Sequence, residues 1–425
     1  MDCIHSMDFP SVIFDNMSLM DDITDVSVWN SYLLSKAESR FMTERELMSL
    51  EDYILNLRYM DTAVKLSSGL PLSVPKKKLI SKMGSSRKRT VYSFSGDEMM
   101  VLKVLSRLLH GYDPLFSPNL YSFRKDLSVK DAVKRMASIP DLGRKYCYKA
   151  DISDYFNSID WETARTSMEP DLGDPRLMAF LDMMLSDRRV ESDGGITEEH
   201  KGAMAGIPTS AFIANHYLKD LDSSFEDSGM IYMRYSDDII LISSDREELM
   251  AGRERILSFI ESKGLTVNPD KEKIVLPGET VEFLGFGFRD GKVDISDAGV
   301  EKMKAKIRRS ARSIRRWMVR KDVPPEKALR VMTRKFNGKF FGDGDNGLNW
   351  AVWYFSSIDT DESLKTIDRH LQDWCRYIVT GRHTGKNRAD VPYVMLKENG
   401  YITLVSEYHR FRGCSEKQRT QHPDA

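Results

Sequence analysis

Residues 231–243 read IYMRYSDDIILIS, with two adjacent aspartates, Asp237 and Asp238, between two runs of apolar, β-prone residues. Two such runs split by a short polar step read as strand, tight turn, strand. A carboxylate in apolar surroundings is costly unless something replaces its hydration. One reading is bland: turns collect polar residues, and two of them here are Asp. The favoured two-residue hairpin turns, however, use Asn-Gly or Asp-Gly, because both central positions need positive φ. Asp-Asp is a poorer turn, which leaves room for a chemical reason.

A second acidic strand end supplies one. In KYCYKADISDYFNSIDW, Asp151 follows a strand-like run and precedes an aromatic turn. Two strand ends placed together would converge three carboxylates on one point. Hard divalent cations such as Mg²⁺ want that oxygen environment and keep positions for water and substrate phosphates. Two such ions, Mg²⁺ with Mn²⁺ as a substitute, suit nucleotidyl transfer: one activates an attacking 3′-hydroxyl, the other steadies the departing pyrophosphate.

Composition sets the outer limits. With 425 residues, 41% hydrophobic and 30% charged, the chain has the apolar mass for two to three globular domains. Its apolar runs fall short of the roughly 18 residues that mark a membrane span. The start, MDCIHSMDFP, carries an acid where a secretory leader carries bases. Four scattered cysteines (Cys3, Cys147, Cys375, Cys414) without a CxxC speak against a zinc knuckle or a disulfide framework. A cytoplasmic, membrane-free protein is therefore expected.

Net charge is −1, but it is unevenly spread. Residues 1–60 hold eleven acids and four bases, whereas KMKAKIRRSARSIRRWMVRK (302–321) holds ten bases and no acid. Within that segment Met303, Ile307, Ala311, Ile314 and Met318 fall on one helical stripe, leaving a cationic surface around the rest. Such a helix serves a membrane surface, a partner protein or a phosphate backbone, which supplies sequence-independent affinity. A second basic stretch, VPKKKLISKMGSSRKR, spans 74–89.

The periodicity predicts helices over 28–67 (Leu47, Leu50, Ile54 and Leu57 on one face), a loop or hairpin over 71–96, and a helix from Asp97. A hairpin loop is expected at DGG (193–195), a helix start at Pro208-Thr209-Ser210, and a hairpin at EFLGFGF (282–288). Beyond 296 the pattern is helical, and the last dozen residues are polar and expected to fray. GDGDNG (342–347) satisfies GxGxxG, but its two aspartates would repel a pyrophosphate, so no dinucleotide site is expected there.

YSDD between apolar strands resembles the YxDD box of reverse transcriptases, and other pieces occur in that family's order over about residues 75–320. YSFRKDLSVKDAV (121–133) resembles a finger segment of group II intron and other bacterial reverse transcriptases. KADISDYFNSID resembles the first palm box, AGIPTSAFIANHYL the template-and-nucleotide box, GLTVNPDKEKIVLP the lysine box and EFLGFGF the primer-grip hairpin. One YxDD is weak; six ordered boxes are specific.

The resemblance implies an α+β right-hand polymerase: an acidic helical extension over 1–60, fingers and an antiparallel palm sheet over 61–295, a helical thumb over 296–412, and a polar tail over 413–425. It makes Asp151 and Asp237 the main metal ligands and Asp238 a supporting one, with Asp154 and Asp160 as structural or surface acids. Phe156 takes the place of the aromatic beneath an incoming deoxyribose, where a 2′-hydroxyl would collide. Pro208, Lys271, Arg87 and Arg89 are expected near the nucleotide. Arg124, Asn215 and the thumb-helix cations Lys306, Arg309, Arg312 and Arg316 are expected near nucleic acid. The family's Pro-Gln-Gly is Pro208-Thr209-Ser210 here, which puts strand handling in question. The implied activity is RNA-directed DNA synthesis from dNTPs onto a primer or product DNA end. The implied template is a dedicated noncoding RNA in a retron-like or defence system. A template-independent polymerase of the same fold and an RNA-binding maturase-like protein are the alternatives.

Overall fold

The computed structural model describes residues 18–39, 42–81, 88–342 and 350–421. The strands among them are, in chain order, β1 (Lys76–Ser81), β2 (Lys88–Ser93), β3 (Tyr146–Asp151), β4 (Arg189–Ser192), β5 (Gly195–Glu198), β6 (Ile231–Tyr235), β7 (Asp238–Ser243), β8 (Lys273–Val275), β9 (Val281–Phe283), β10 (Phe286–Arg289) and β11 (Lys292–Ile295). They form three sheets, ordered β2-β1-β4-β5, β6-β7-β3-β8 and β11-β10-β9. The second sheet is antiparallel throughout, and its register sets Asp151 opposite Asp238. Helices make up most of the remaining structure, so the class is α+β.

The unbroken apolar run of β7 has a direct cause. Side chains alternate between the faces of a strand, and here both faces are covered. Ile239 and Leu241, with Tyr148 and Ala150 of β3, join a core that also holds Trp29, Val101 and Ile213. Ile240 and Ile242, with Cys147, join a second core that also takes residues from the helix Val129–Ala137, from β9–β11 and from the helices Asp297–Arg320, Pro325–Phe341 and Glu362–Thr380. A strand buried on both sides must be apolar at every position.

Local signals account for the helix boundaries. Ser95 and Glu98 form a capping box that starts the helix Gly96–Leu108, and Thr43 and Glu46 do the same for Glu44–Leu55. Asp160 caps Trp161–Leu172 by accepting from the Thr163 N–H, a structural job for one of the two acids set apart from catalysis. The other, Asp154, accepts from Asn157 Nδ2 at 3.1 Å. The basic stripe over 302–321 lies on the helix Asp297–Arg320, with Met303, Ile307, Ala311, Ile314 and Met318 all buried.

Three expectations shift. Helices occupy 28–67 as expected, but Leu57, expected on their apolar face, falls past the end of Glu44–Leu55 with φ +50° and an exposed side chain. Of the last dozen residues, 414–421 continue the helix Leu404–Gln421, and 422–425 lie outside the described residues. The central pair of the β6–β7 turn is Ser236-Asp237, not Asp237-Asp238, since Tyr235 pairs with Asp238. Ser236 has φ +59° and so supplies the positive φ that the turn needs at its first central position. Most of GDGDNG lies outside the described residues.

Candidate active site

The β3–β7 pairing brings the acids together. Asp151 ends β3, Asp238 begins β7, and Asp237 sits in the turn before it; one carboxylate oxygen from each lies within 4.8 Å of the others. Backbone bonds fix this arrangement: the Ile152 N–H donates to the Asp237 carbonyl at 3.1 Å, and the Asn268 N–H to the Asp151 carbonyl at 2.7 Å. Burial, and then the Asp151 charge, raise the Asp237 pKa above the usual carboxylate range. Burial also pushes the Asp238 carboxyl up to about 6, with Lys149 opposing and Asp237 and Asp151 adding to the rise. The Lys271 ammonium sits against the Asp151 carboxylate. Clustered, partly desolvated oxygens whose repulsion Lys271 and Lys149 offset only in part are the donor set that a hard divalent cation fits.

Beneath the turn lies a fully buried ion pair. Arg234 of β6 meets Asp222 through Nε at 2.7 Å and a second nitrogen at 2.6 Å, and the Tyr232 hydroxyl donates to the same carboxylate at 2.9 Å. Burial works against the Arg234 charge, but Asp222 outweighs it and holds the guanidinium protonated. The remaining Arg234 donors reach the Ser236 carbonyl at 3.1 Å and the Asn215 carbonyl at 3.0 Å. Ser122 completes the support, its hydroxyl accepting the Ser236 N–H at 2.8 Å and donating to Asn215 Oδ1 at 3.1 Å. Both polar groups of the Ser236 backbone are thus held from below, and with them the position of Asp237.

A cavity of about 1,000 Å³ opens over the acids. Arg89, Phe156, Lys271 and Lys302 line it, as does the turn Leu284-Gly285 between β9 and β10. Leu284 (φ +51°) and Gly285 (φ +87°) both adopt positive φ, which a two-residue hairpin of this hand needs. A leucine there is strained. Phe156 is half-buried, its ring 6.2 Å from that of Phe123, an exposed residue that itself holds φ +52°. Gly206 is needed on the opposite wall, with φ +103° and the Tyr92 carbonyl 2.9 Å from where a Cβ would stand.

The remaining sequence-derived positions divide. Pro208 and Arg124 line an adjoining cavity with Phe123 and Phe156. The Arg124 guanidinium is turned toward protein, donating to the Ser117 carbonyl at 3.1 Å with Asp113 at 3.6 Å. Asn215 corrects the sequence reading: it is 1% exposed and both amide atoms are taken by Ser122, so it faces the fold and not nucleic acid. Thr209, at the departure from the family pattern, is fully buried and presents no group to either cavity. Arg309, Arg312 and Arg316 are exposed on their helix, Arg312 over the Trp374 ring at 5.6 Å. Lys306 is half-buried beside Lys339, which pushes its ammonium down to about 8. Arg87 lies outside the described residues.

Sequence reasoning missed Ser122, Asp222, Arg234, Phe123 and Leu284. Arg234 left a trace: it is the lone charge inside the apolar run IYMRY, where only a buried partner makes a cation tolerable. Ser122 and Asp222 left none, because their role exists only through contacts distant in sequence.

Three carboxylates at one end of an antiparallel sheet, facing a cavity walled by a hairpin turn and an aromatic shelf, define a palm-type polymerase domain. The chain belongs to the reverse transcriptase (RNA-dependent DNA polymerase) family, whose pattern matches residues 74–288. It is similar to the Retron Ec86 reverse transcriptase of Escherichia coli, 30% identical over 106 residues, covering 24% of this chain and 33% of that protein. It is also similar to the Retron Mx65 reverse transcriptase of Myxococcus xanthus, 25% identical over 179 residues, covering 40% of this chain and 41% of that protein. The match thus spans less than half the length of these curated relatives. Among solved structures, the telomerase of Candida albicans in complex with a TWJ fragment of telomeric RNA aligns at TM-score 0.43 and 12% identity, covering 82% of this chain and 66% of that one. The apo telomerase of Candida tropicalis aligns at TM-score 0.42 and 11% identity, covering 77% and 69%. Among the described residues, no helix is long and apolar enough to cross a membrane.

Proposed function

We propose that this protein is an RNA-directed DNA polymerase that extends a 3′-hydroxyl with dNTPs on an RNA template. The observation that carries the reading is the convergence of Asp151, Asp237 and Asp238 within 4.8 Å at the wall of the large cavity. Asp151 and Asp237 hold the divalent ions and Asp238 supports them. When bound, Mg²⁺ lowers the pKa of the attacking hydroxyl and offsets charge on the departing pyrophosphate. Lys271, which pairs with Asp151, would meet phosphate charge once the carboxylate turned to an ion. Phe156 packs under the sugar and excludes a 2′-hydroxyl. Arg89, whose charge opposes the rise in the Asp237 pKa from across the cavity, faces the triphosphate. Fingers and palm occupy 61–295 and the thumb 296–412, where Lys306, Arg309 and Arg316 track the phosphates of the template–primer duplex. The template we propose is a dedicated noncoding RNA, a reading to which the likeness to two retron reverse transcriptases lends support.

A second reading, untemplated extension, draws on one observation. Thr209 is buried where the family places a glutamine that can meet template or nucleotide.

One experiment separates these readings. The purified protein is incubated with labelled dNTPs and Mg²⁺, and both its bound RNA and its DNA product are sequenced. Complementary DNA supports the first reading and homopolymer the second. If no product forms, or if an Asp237→Ala, Asp238→Ala variant keeps the cellular phenotype, the polymerase reading fails and an RNA-binding role remains.

A further inference from the structure

A second large cavity, about 1,080 Å³, lies between the helices Val26–Ser39, Glu44–Leu55 and Gly96–Leu108. Two of its three walls come from residues before 74, outside the segment that matches the family. The first sixty residues carry a net negative charge, yet they contribute Lys36 to a lining that the helix Gly96–Leu108 makes cationic with Lys103 and Arg107. Lys36, Lys103 and Arg107 face this space, and none of them has a carboxylate partner among the described residues. Their contacts are weak or neutral: Lys36 lies 5.0 Å from the Tyr32 ring centre, Arg107 is 3.5 Å from the Ser31 hydroxyl, and Lys103 is 3.8 Å from the Met100 sulfur. Glu46 is the one acid among the lining residues, and it is occupied by its capping bonds to Thr43. Burial, then Lys103 and Arg107, lower the Lys36 pKa, as expected where like charges crowd without a counter-ion.

Cavities that share wall residues lead from this one to the candidate active site. A middle cavity of about 400 Å³ shares Ser106, His110, Arg124 and Pro208 with it. The same middle cavity shares Phe123, Phe156 and Gly206 with the space over the carboxylates. A cavity of this volume is at the small end of single-ligand sites, a scale that suits one unpaired strand better than a base-paired helix. Phe123, exposed and held at positive φ, stands at the junction, where an unpaired base can stack. Strained residues of this kind collect at functional sites.

We infer that the N-terminal helices and the helix Gly96–Leu108 form a phosphate-binding channel for single-stranded RNA. Lys36, Lys103 and Arg107 neutralise the backbone of the template ahead of the nucleotide being copied. This rests on the polymerase reading for which strand is bound, and it adds the path of that strand.

The test compares binding of full-length wild type and a Lys36→Glu, Lys103→Glu variant to two primer–RNA duplexes. One is blunt and the other has a long single-stranded 5′ template overhang; binding is read by fluorescence anisotropy over a salt series. Wild type is expected to prefer the overhang. The variant is expected to lose that preference by roughly ten-fold or more while binding the blunt duplex as wild type does. A Lys36→Gln, Lys103→Gln variant should flatten the log–log salt slope for the overhang by about 1.4, some 0.7 for each phosphate contact removed. It also decides the matter if charge reversal lowers the melting temperature. Unchanged overhang preference and salt slope overturn the channel, as does an equal loss on both duplexes. If wild type prefers the overhang in a Lys36-dependent way yet incorporates no dNTP, the polymerase reading falls and the RNA channel stands.

Discussion

The hydroxyl of Ser122 accepts the backbone N–H of Ser236 at 2.8 Å, joining the turn that carries Asp237 to a segment 114 residues earlier in the chain. Removing that hydroxyl leaves a buried N–H without a partner, which costs about 1–3 kcal/mol. Ser122→Ala is expected to slow single-nucleotide incorporation by roughly ten-fold, or about 1.4 kcal/mol of barrier. The dNTP KM should change little, and the Mg²⁺ titration midpoint should rise. A purely structural Ser122 would lower the melting temperature and leave that midpoint alone.

The Arg234–Asp222 pair can be separated from its effect on the turn. Arg234→Met strands a buried carboxylate and is expected to destabilise the protein by about 3–5 kcal/mol, read by urea denaturation. Adding Asp222→Leu should recover most of that loss, because apolar replacements of a whole buried pair are tolerated. Incorporation should stay low in the double variant, since the Ser236 carbonyl still lacks its donor. Full recovery of both properties would limit the pair to packing.

Protonation of the acids should show in stability. The Asp238 carboxyl rises from 3.8 to about 6 on folding, with burial the main cause. Its ionisation therefore opposes folding, and stability falls as pH climbs from about 4 to 6. Metal-free protein is expected to melt several degrees lower at pH 7.5 than at pH 5 from this group and Asp237, before other groups are counted. Asp237→Asn should raise the metal-free melting temperature at pH 7.5 while abolishing incorporation. Mg²⁺ should stabilise wild type at pH 7.5 and much less at pH 5, as differential scanning fluorimetry can measure.

Leu284 stores strain at the cavity wall. A non-glycine residue in the left-handed region costs about 1–2 kcal/mol, so Leu284→Gly should raise the melting temperature by a few degrees. The same change removes an apolar contact from the cavity and is expected to reduce extension of a primer end. A gain in both stability and rate would show that the side chain has no role there.

Phe156→Val should open the space beneath the sugar. Incorporation of ribonucleotides relative to deoxyribonucleotides is expected to rise by about ten-fold or more, on the order of 1.4 kcal/mol of discrimination. An unchanged ratio in single-nucleotide assays would make Phe156 an ordinary core aromatic.

What the sequence made legible was local. The strands flanking Asp151 and YSDD, the hairpin at EFLGFGF and the amphipathic stripe from Met303 to Met318 all announce themselves through period, turn chemistry and charge. The convergence of two acidic strand ends also follows, because β-prone runs ending in carboxylates have few ways to pair. Contacts across long sequence separations were not legible. Asn215 reads as a polar residue on a box helix, and only the fold shows both its amide groups spent on Ser122. The turn was misassigned by one residue because Ser236 bears the positive φ that sequence rules reserve for Asn or Gly. Lys36 was hidden by the acidic average of its segment, and its place beside Lys103 and Arg107 exists only through the fold.

The sheet that carries the carboxylates has one face on each of two cores, and the second core joins the helix Val129–Ala137 and the strands β9–β11 to helices that follow residue 296. Ile240, Ile242 and Cys147 therefore tie the strands bearing Asp151 and Asp238 to packing that Met303 and Ile307 of the basic helix share. The spacing of the acids and the seating of the cationic helix rest on one common interior.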